Sequence, residues 1–334
     1  MALLLLDRAN LHIKTDGDAL ALYEAGERTG TVPIKLIDRC IIHGQRTQMD
    51  SGMLLKLAEA GATTVILSAR QHRRIALVLG PHHNDAAVRL AQARCVLDDA
   101  WCQQWAVQIL RAKLRRQARA LQRWLKERPD ERKPLFDAHQ SVQTALQTLA
   151  AAHPAPAPER LRGIEGAAAR AYFAGFAAVL PPAMQFTGRN RRPPRDPVNA
   201  CLSLGYTLLH AQAVQACHIA GLDPLLGFYH RPAIGRESLA SDLIEPLRSE
   251  IDHWVWQLMR SRELREHHFN QDNGACLLGK EGRGIFYARW QSQQHAAPWQ
   301  RWLRLQTRAL ARQMRQQGQP LLARDADDEW EEEC

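Results

Sequence analysis

The spacing of apolar residues changes near residue 82, and this change limits the folds that the chain can adopt. Before it, short apolar or alternating runs are separated by turn signals such as Asp16-Gly17-Asp18, which is typical of β-strands. After it, residues 84–126 contain neither glycine nor proline, and Val88, Ala91 and Cys95 begin a stripe at helical spacing. The sequence therefore predicts an α+β fold, in which a small β-rich N-terminal domain precedes a larger all-helical domain.

The same patterns predict the boundaries of the domains and elements. The β-rich domain spans 1–82, the helical domain spans 83–324, and a separate acidic tail, predicted to be disordered, spans 325–334. The predicted strands are 3–6, 19–23, 31–37, 40–42, 63–67 and 75–79, with one helix at 53–60. The predicted helices of the second domain are 84–126, 134–152, 159–180, 197–220, 238–263 and 297–317, with a hairpin at 277–286.

The net charge of +9 is distributed unevenly along the chain. Residues 325–334 contain seven acids and no base, so residues 1–324 carry 44 bases against 28 acids, a formal charge of +16. A body this basic favours a polyanionic partner, most simply nucleic acid. The alternative that charge leaves open is a soluble protein whose lineage favours arginine.

The bases form three groups, at 111–126, 189–195 and 301–315. The first group has no acid between residues 103 and 126, whereas a solvated helix usually alternates its charges to gain pairs one turn apart. This single-sign run favours contact with phosphates over an ordinary exposed face, which remains the alternative. The predicted DNA-binding residues are Arg111, Arg115, Arg116, Arg119, Arg189, Arg191 and Arg192.

The sequence gives no indication of secretion or of a membrane span. It has no signal-peptide pattern, and no apolar run approaches the roughly 18 residues that a membrane helix needs. The seven cysteines are odd in number and no two are spaced as C-x-x-C, so neither a disulfide framework nor a zinc ribbon is indicated. We therefore expect reduced thiols in a cytoplasmic protein without a membrane partner.

Four residues could supply chemistry in the helical domain. Glu165 lies between two glycines on a stretch of small residues, His230 follows an apolar run, and Asp242 and Glu245 share one helix face at i and i+3. Each has an ordinary alternative: a solvated glutamate, a structural histidine, and acids that complement a helix dipole. Together they offer one imidazole and up to three carboxylates, a mixed set that suits Mn²⁺ or Mg²⁺. Beside a basic surface, such an ion fits phosphodiester chemistry.

The order along the chain of Glu165, His230, Asp242 and Glu245, with the motifs around them, resembles that of the CRISPR-associated integrase, the nuclease subunit of the spacer-acquisition complex. Glu165 in Gly-Ile-Glu-Gly matches the first metal-binding acid of that family, and His230 matches its histidine. Asp242 and Glu245, in Asp-Leu-Ile-Glu, match its acidic pair, and the spacing of 15 from His230 to Glu245 also agrees. The resemblance covers nearly the whole chain. Pro246 and Leu204 depart from it, at places where the family commonly has an acid and an aromatic residue.

The resemblance implies an enzyme that inserts short DNA fragments into a CRISPR array. One Mn²⁺ or Mg²⁺ would lie on Glu165, His230 and Glu245, and the 3′-hydroxyl of the incoming DNA would attack a phosphodiester at the edge of a repeat. Asp242 would orient the site or contact a second ion or water. Arg248 would neutralise phosphate charge, with a carboxylate salt bridge as the equal alternative.

The resemblance also implies supporting residues and partners. Asn199 and Tyr206, in the helix that begins after Asp196, would support the active site rather than act as nucleophiles. The protein would be a homodimer that joins through its β-rich domain, and it would bind double-stranded DNA and a small ferredoxin-like partner subunit.

Other classes of protein remain open at this point. The chain could be a metal-dependent nuclease that cuts DNA or RNA without integration, or a non-catalytic nucleic-acid-binding scaffold. A restriction-like nuclease would need an acid and a [DE]-x-Lys motif on a sheet, and no predicted strand carries that arrangement.

Overall fold

The computed structural model describes residues 2–8, 10–43, 46–68, 74–80, 83–152, 154–190, 193–296 and 299–322. They belong to two compact units. Unit 1 is Met1–His82 with Gly279–Pro298, and unit 2 is His83–Leu278 with Trp299–Cys334. The predictions made for Arg191, for Arg192 and for the acidic tail lie outside the described residues.

Unit 1 contains two four-stranded sheets and, among its described residues, two α-helices, Ser51–Glu59 and Lys280–Ala296. The first sheet has the order β1-β5-β7-β8, from β1 (Ala2–Leu6), β5 (Ile37–His43), β7 (Thr63–Leu67) and β8 (Arg74–Val78). Its pairs are parallel except β7 with β8. The second sheet has the order β4-β3-β2-β6, from β2 (Leu11–Asp16), β3 (Ala19–Glu24), β4 (Glu27–Pro33) and β6 (Gln48–Met49).

Burial within unit 1 explains these strands. On β2, Leu11 and Ile13 are buried while Lys14 is exposed, so the strand presents one apolar face to the core. Helix α1 (Ser51–Glu59) begins at Asp50, whose carboxylate accepts the backbone N–H of Met53 at 2.7 Å. One core cluster contains buried side chains from both sheets, such as Ile13 and Ile42, and from α1, such as Met53.

Two parts of the β-rich region differ from the expectation. Strand β2 was not predicted, because its alternation covers only six residues, of which Leu11 and Ile13 are the buried apolar ones. The predicted strand 31–37 is the end of β4, followed by a single 3₁₀ turn, Ile34–Leu36. Strand β4 ends at Pro33, which has no N–H to extend the ladder.

The region near residue 279 also differs from the expectation. Strands β9 (Phe269–Asp272) and β10 (Ala275–Leu278) form the hairpin, and Asn273 and Gly274 both have positive φ, as an Asn-Gly turn requires. The predicted hairpin 277–286 is therefore displaced. Helix α9 (Lys280–Ala296) follows and packs in unit 1, where Arg283 pairs with Asp7 at 2.9 Å. The sequence predicted that residues 279–298 belong to the helical domain, but the structure places them in unit 1.

Unit 2 is predominantly helical, as predicted. Its helices are α2 (Ala86–Leu97), α3 (Asp99–Glu127), α4 (Arg132–Ala151), α5 (Pro158–Val179), α6 (Pro197–Ala220), α7 (Ser238–Ile244), α8 (Arg248–Arg260) and α10 (Trp299–Leu322). Helix α6 is buried on most of its surface and contacts α7, α8 and α10. Helices α3, α4 and α5 pack against one another.

Two predicted long helices are interrupted. The helix predicted at 84–126 breaks at Asp98, whose carboxylate accepts the N–H of Trp101 at 3.0 Å and caps α3. The helix predicted at 238–263 is divided by the 3₁₀ turn Glu245–Leu247, because Pro246 has no N–H for a helical hydrogen bond. The second break places Glu245 in a turn between α7 and α8.

The described part of the chain contains six of the seven cysteines. Its six cysteines are unpaired and buried: Cys40, Cys95, Cys102, Cys201, Cys217 and Cys276. Within the described residues, every helix is too short or too polar to cross a bilayer.

Candidate active site

Two carboxylates from distant parts of unit 2 meet at one ammonium group. Glu165 lies on α5 and Glu245 lies in the turn after α7. The Nζ of Lys113, on α3, is 2.6 Å from Oε1 of Glu165 and 2.8 Å from Oε2 of Glu245. All three side chains are largely buried, with exposed fractions of 12% for Lys113, 21% for Glu165 and 6% for Glu245. The structure therefore brings together two of the predicted ligands around a positive charge.

The sequence places Lys113 in the basic run 111–126 and does not assign it to the site. The sequence does contain a local sign that Lys113 is not fully exposed. Lys113 follows Ile109 by four residues and Leu110 by three, so it lies beside the buried stripe of α3. This spacing along α3 does not show which side chains of other helices contact Lys113. The two carboxylates come from α5 and from the turn after α7.

His230 is held by Asp242. The carboxylate of Asp242, which is fully buried, accepts the backbone N–H groups of Phe228, Tyr229 and His230 at 2.8, 3.0 and 2.8 Å. Its Oδ1 also lies 2.7 Å from Nδ1 of the His230 ring. A carboxylate on one imidazole nitrogen fixes the ring and leaves the other nitrogen, Nε2, for a ligand. Asp242 thus orients the histidine.

The loop that carries His230 depends on a glycine. A Cβ at Gly227 would lie 2.5 Å from the backbone carbonyl carbon of Ser238 and 2.7 Å from the carbonyl oxygen of His230. Only glycine lets the loop pass this close to the start of α7. In the same loop, the Tyr229 hydroxyl donates a hydrogen bond to Oε2 of Glu165. The loop therefore connects the histidine to the first carboxylate.

A second layer of contacts positions Glu245. Nε of Arg248 donates to Oε1 of Glu245 at 2.9 Å, and the Arg248 guanidinium lies 4.7 Å from the centre of the Tyr206 ring. The Tyr206 hydroxyl donates to the buried carboxylate of Asp252, which also accepts from Tyr172 at 2.9 Å. Arg248 therefore forms the carboxylate salt bridge that the sequence left open, and Tyr206 supports it from behind.

These contacts decide the protonation of the site. Burial disfavours the charged form of Glu245, but Arg248 and Lys113 outweigh it and hold the pKa of this carboxyl well below its usual range. Burial likewise opposes the charge on Lys113, yet Glu245 and Glu165 raise its pKa above the ordinary value. Burial raises the pKa of Asp252 to about 6, against hydrogen bonds from Tyr206 and Tyr172. At neutral pH, Glu245 and Lys113 are therefore both ionised.

Asn199 and Arg189 contact each other rather than the acid and histidine set. Asn199, near the start of α6, accepts from Nη1 of Arg189 at 2.7 Å and donates to the carbonyl oxygen of Gly188 at 2.8 Å. Nη2 of Arg189 donates to Ser203 at 3.1 Å, and its guanidinium lies 5.4 Å from the Tyr206 ring. Both residues fix the loop before α6, so the charge of Arg189 is engaged within the fold.

The remaining predicted DNA-binding residues lie on α3. Arg115 and Arg119 are exposed, while Arg111 and Arg116 are half-buried. Arg116 is 3.8 Å from Glu250 and stacks at 5.2 Å over the Trp302 ring. Arg115 and Arg119 are therefore the α3 arginines of this set most available to a partner.

The donor set around Lys113 fits a hard divalent cation. Two carboxylates and one oriented imidazole are ligands that Mn²⁺ and Mg²⁺ accept, and the Lys113 ammonium marks the space between the carboxylates as a position for positive charge. In this structure the donor atoms of Glu165, His230 and Glu245 are not all within 4.8 Å of one another. An ion held by all three would have to displace the ammonium.

The sequence matches a known protein family over most of its length. The family model of CRISPR associated protein Cas1 matches residues 4–292, which leaves α10 after the matched region. CRISPR-associated endonuclease Cas1 1 of Thermodesulfovibrio yellowstonii is 32% identical over 291 residues, which are 86% of this chain and 89% of that protein.

Solved structures share the fold. A casposase bound to integration product superposes with a TM-score of 0.82 at 23% identity, over 96% of this chain and 92% of that one. A Cas6-RT-Cas1–Cas2 complex has a chain that matches with a TM-score of 0.77 at 23% identity, over 94% of this chain and 35% of that one. At these identities the likeness concerns the arrangement of strands and helices.

Proposed function

Because the chain belongs to the CRISPR-associated Cas1 family, we propose that it is a metal-dependent DNA endonuclease and integrase. It inserts short DNA fragments into a CRISPR array by attack of a 3′-hydroxyl on a phosphodiester at the edge of a repeat. One observation carries the proposal: Glu165 and Glu245 converge on Lys113 beside a histidine that Asp242 orients.

We assign the metal ligands to Glu165, to Nε2 of His230 and to Glu245, and the ion to Mn²⁺ or Mg²⁺. When bound, such an ion polarises a phosphoryl oxygen and lowers the barrier to in-line attack. The residues of the chain prepare the site. The carboxylate of Asp242 binds Nδ1 of the His230 ring and so leaves Nε2 free to face the metal. Arg248 keeps Glu245 ionised and fixed in orientation.

The same proposal names the partners. Double-stranded DNA, both as the incoming fragment and as the repeat, is the substrate, and the bound product in the related casposase structure supports it. The Cas1–Cas2 complex that shares this fold supports a small partner subunit, which we take to be ferredoxin-like. Dimerisation through unit 1 and a cytoplasmic location belong to the same proposal.

The test is a strand-transfer assay with a short duplex, repeat DNA and Mn²⁺. We expect Glu165→Gln, His230→Ala and Glu245→Gln each to abolish joining, because each removes a ligand. Asp242→Asn loses about 10- to 100-fold, as expected for a group that orients a ligand. The matched control is Glu159→Gln, which changes an exposed acid on the same helix as Glu165 and leaves activity intact.

The products separate this function from its alternatives. Joined DNA supports an integrase, whereas cut but unjoined DNA or RNA indicates a nuclease without integration. Binding without metal and without turnover indicates a scaffold. Full joining by all three ligand variants would refute the site.

A further inference from the structure

We propose that one face of α10 is a track for the phosphate backbone of duplex DNA, and that it begins beside the active site. The face is a row of arginines at intervals of three or four residues, which places them on one side of the helix. They are Arg301, Arg304, Arg308, Arg312 and Arg315, called the arginine row below. The inference rests on the proposed DNA substrate.

The arginine row faces away from the protein. The opposite side of α10 is buried, with Leu303, Leu310 and Met314 among its enclosed residues, and the helix packs against α2 and α6. A Cβ at Gly318 would collide with the backbone of Ala87, so α10 lies very close to α2. This packing fixes the direction in which the arginines project.

Most of the row has no ion-pair partner among the described residues. All five arginines are exposed, and α10 contains no acid. Arg315 pairs with Asp85 at 2.5 Å, but no described acid forms an ion pair with Arg304, Arg308 or Arg312. A helix that serves only solubility usually alternates charges one turn apart. Unpaired cations in a row are typical of a surface that contacts phosphates.

The row starts close to the catalytic carboxylates. Trp302, in the first turn of α10, lies under the guanidinium of Arg116 at 5.2 Å. Arg116 is one helical turn after Lys113, whose ammonium contacts Glu165 and Glu245. The first turn of α10 is therefore adjacent to the part of α3 that forms the site.

The length of the row suits a duplex. Arg315 follows Arg301 by fourteen positions, which at a rise of 1.5 Å per residue is about 21 Å. One strand of duplex DNA presents a phosphate about every 3.4 Å along its axis, so the row can follow roughly six phosphates. DNA held along α10 would extend away from the active site and keep its end near the carboxylates.

A lipid surface is the less suitable partner. A helix that binds in the membrane interface needs a free apolar face to bury among the lipids. The apolar face of α10 is already enclosed by the protein. Only the charged face of α10 can contact a partner. A charged face that inserts no apolar side chains suits the phosphate backbone of DNA better than a lipid surface.

The test measures how DNA binding depends on salt. Each phosphate contact contributes about 0.9 to the slope of log affinity against log salt concentration. For a 30-base-pair duplex, we expect Arg304→Gln/Arg308→Gln/Arg312→Gln to reduce that slope by about 2 to 3. The conservative variant with lysine at the same three positions should keep the wild-type slope. Equal melting temperatures show that the variants are folded.

The matched control removes three exposed arginines from other helices of unit 2, as Arg94→Gln/Arg132→Gln/Arg160→Gln. It changes the net charge equally, so we expect a slope change well below that of the row variant. An equal change in both triple variants would mean general charge attraction and would overturn the track. An unchanged slope in the row variant, or row-dependent binding to phosphatidylserine vesicles without an effect on DNA, would overturn it as well.

Catalysis distinguishes failure of the track from failure of the proposed function. The row variant keeps the site residues, so it should still act on DNA at low salt with Mn²⁺, with weaker binding of long duplexes. If the wild-type protein neither cuts nor joins DNA, the proposed function fails, whatever the salt slope of binding.

Discussion

Replacing Lys113 by methionine keeps an unbranched side chain, one atom shorter, and removes the cation that contacts Glu165 and Glu245. Breaking a buried ion pair by removing one partner typically costs about 3–5 kcal/mol, because a charge stays buried without compensation. Arg248 still neutralises Glu245, and Glu165 is 21% exposed, so we expect a loss near the lower limit, about 3 kcal/mol.

This loss can be measured by thermal unfolding in EDTA. For units of 150–250 residues, 1 kcal/mol shifts the melting temperature by about 2–4 °C, so Lys113→Met should melt about 6–12 °C below the wild type. The matched control is Lys126→Met, an exposed lysine on the same helix, which should melt as the wild type does.

Manganese should reverse the effect. The two carboxylates of the variant repel each other and have no ammonium to displace, so we expect tighter Mn²⁺ binding in calorimetry than for the wild type. At an Mn²⁺ concentration about 100 times its dissociation constant from the variant, the variant gains about 2.7 kcal/mol. The wild type binds the ion more weakly and gains less, so the gap in melting temperature should narrow. Equal melting of variant and wild type in EDTA, or a gap that Mn²⁺ leaves unchanged, would refute this account of Lys113.

Other predictions concern packing and pH. Gly175→Ala should destabilise the protein by about 1–3 kcal/mol, because a Cβ there would lie 2.9 Å from the Cβ of Ala138 and 3.0 Å from Cδ2 of Leu121. Gly163→Ala, on the same helix with no atom within 4 Å, should gain about 0.4–1 kcal/mol, and urea unfolding compares the two. A lower free energy of unfolding in both variants would mean that backbone conformation, rather than side-chain packing, causes the loss. Burial raises the pKa of Asp252 to about 6, so its protonated form favours the folded state; this stabilisation is complete below about pH 4 and is lost as the pH rises through 6. Asp252→Asn should remove that part of the pH dependence of the melting temperature, and a profile identical to the wild type would contradict it.

Much of the fold followed from local patterns. Helices α5 and α6 were predicted to within a residue or two, because their apolar spacing and their boundaries with proline or glycine are local signals. The breaks at Asp98 and Pro246 were also local, yet the continuous helical spacing on both sides concealed them. Strand β2 was missed because its alternation of apolar and polar residues covers only six positions, too few to distinguish a strand from a loop.

The sequence by itself determined the order and types of the candidate residues: Glu165, His230, Asp242 and Glu245. It could not determine which positive charge meets them, because Lys113 and Glu165 are 52 residues apart and lie on different helices. Only the packing of α3 against α5 and against the turn after α7 decided that contact. The tertiary structure likewise placed α9 in unit 1 and engaged Arg189 inside the fold. Apolar periodicity and capping act within a few residues, whereas an ion pair between elements depends on which faces the completed core brings together.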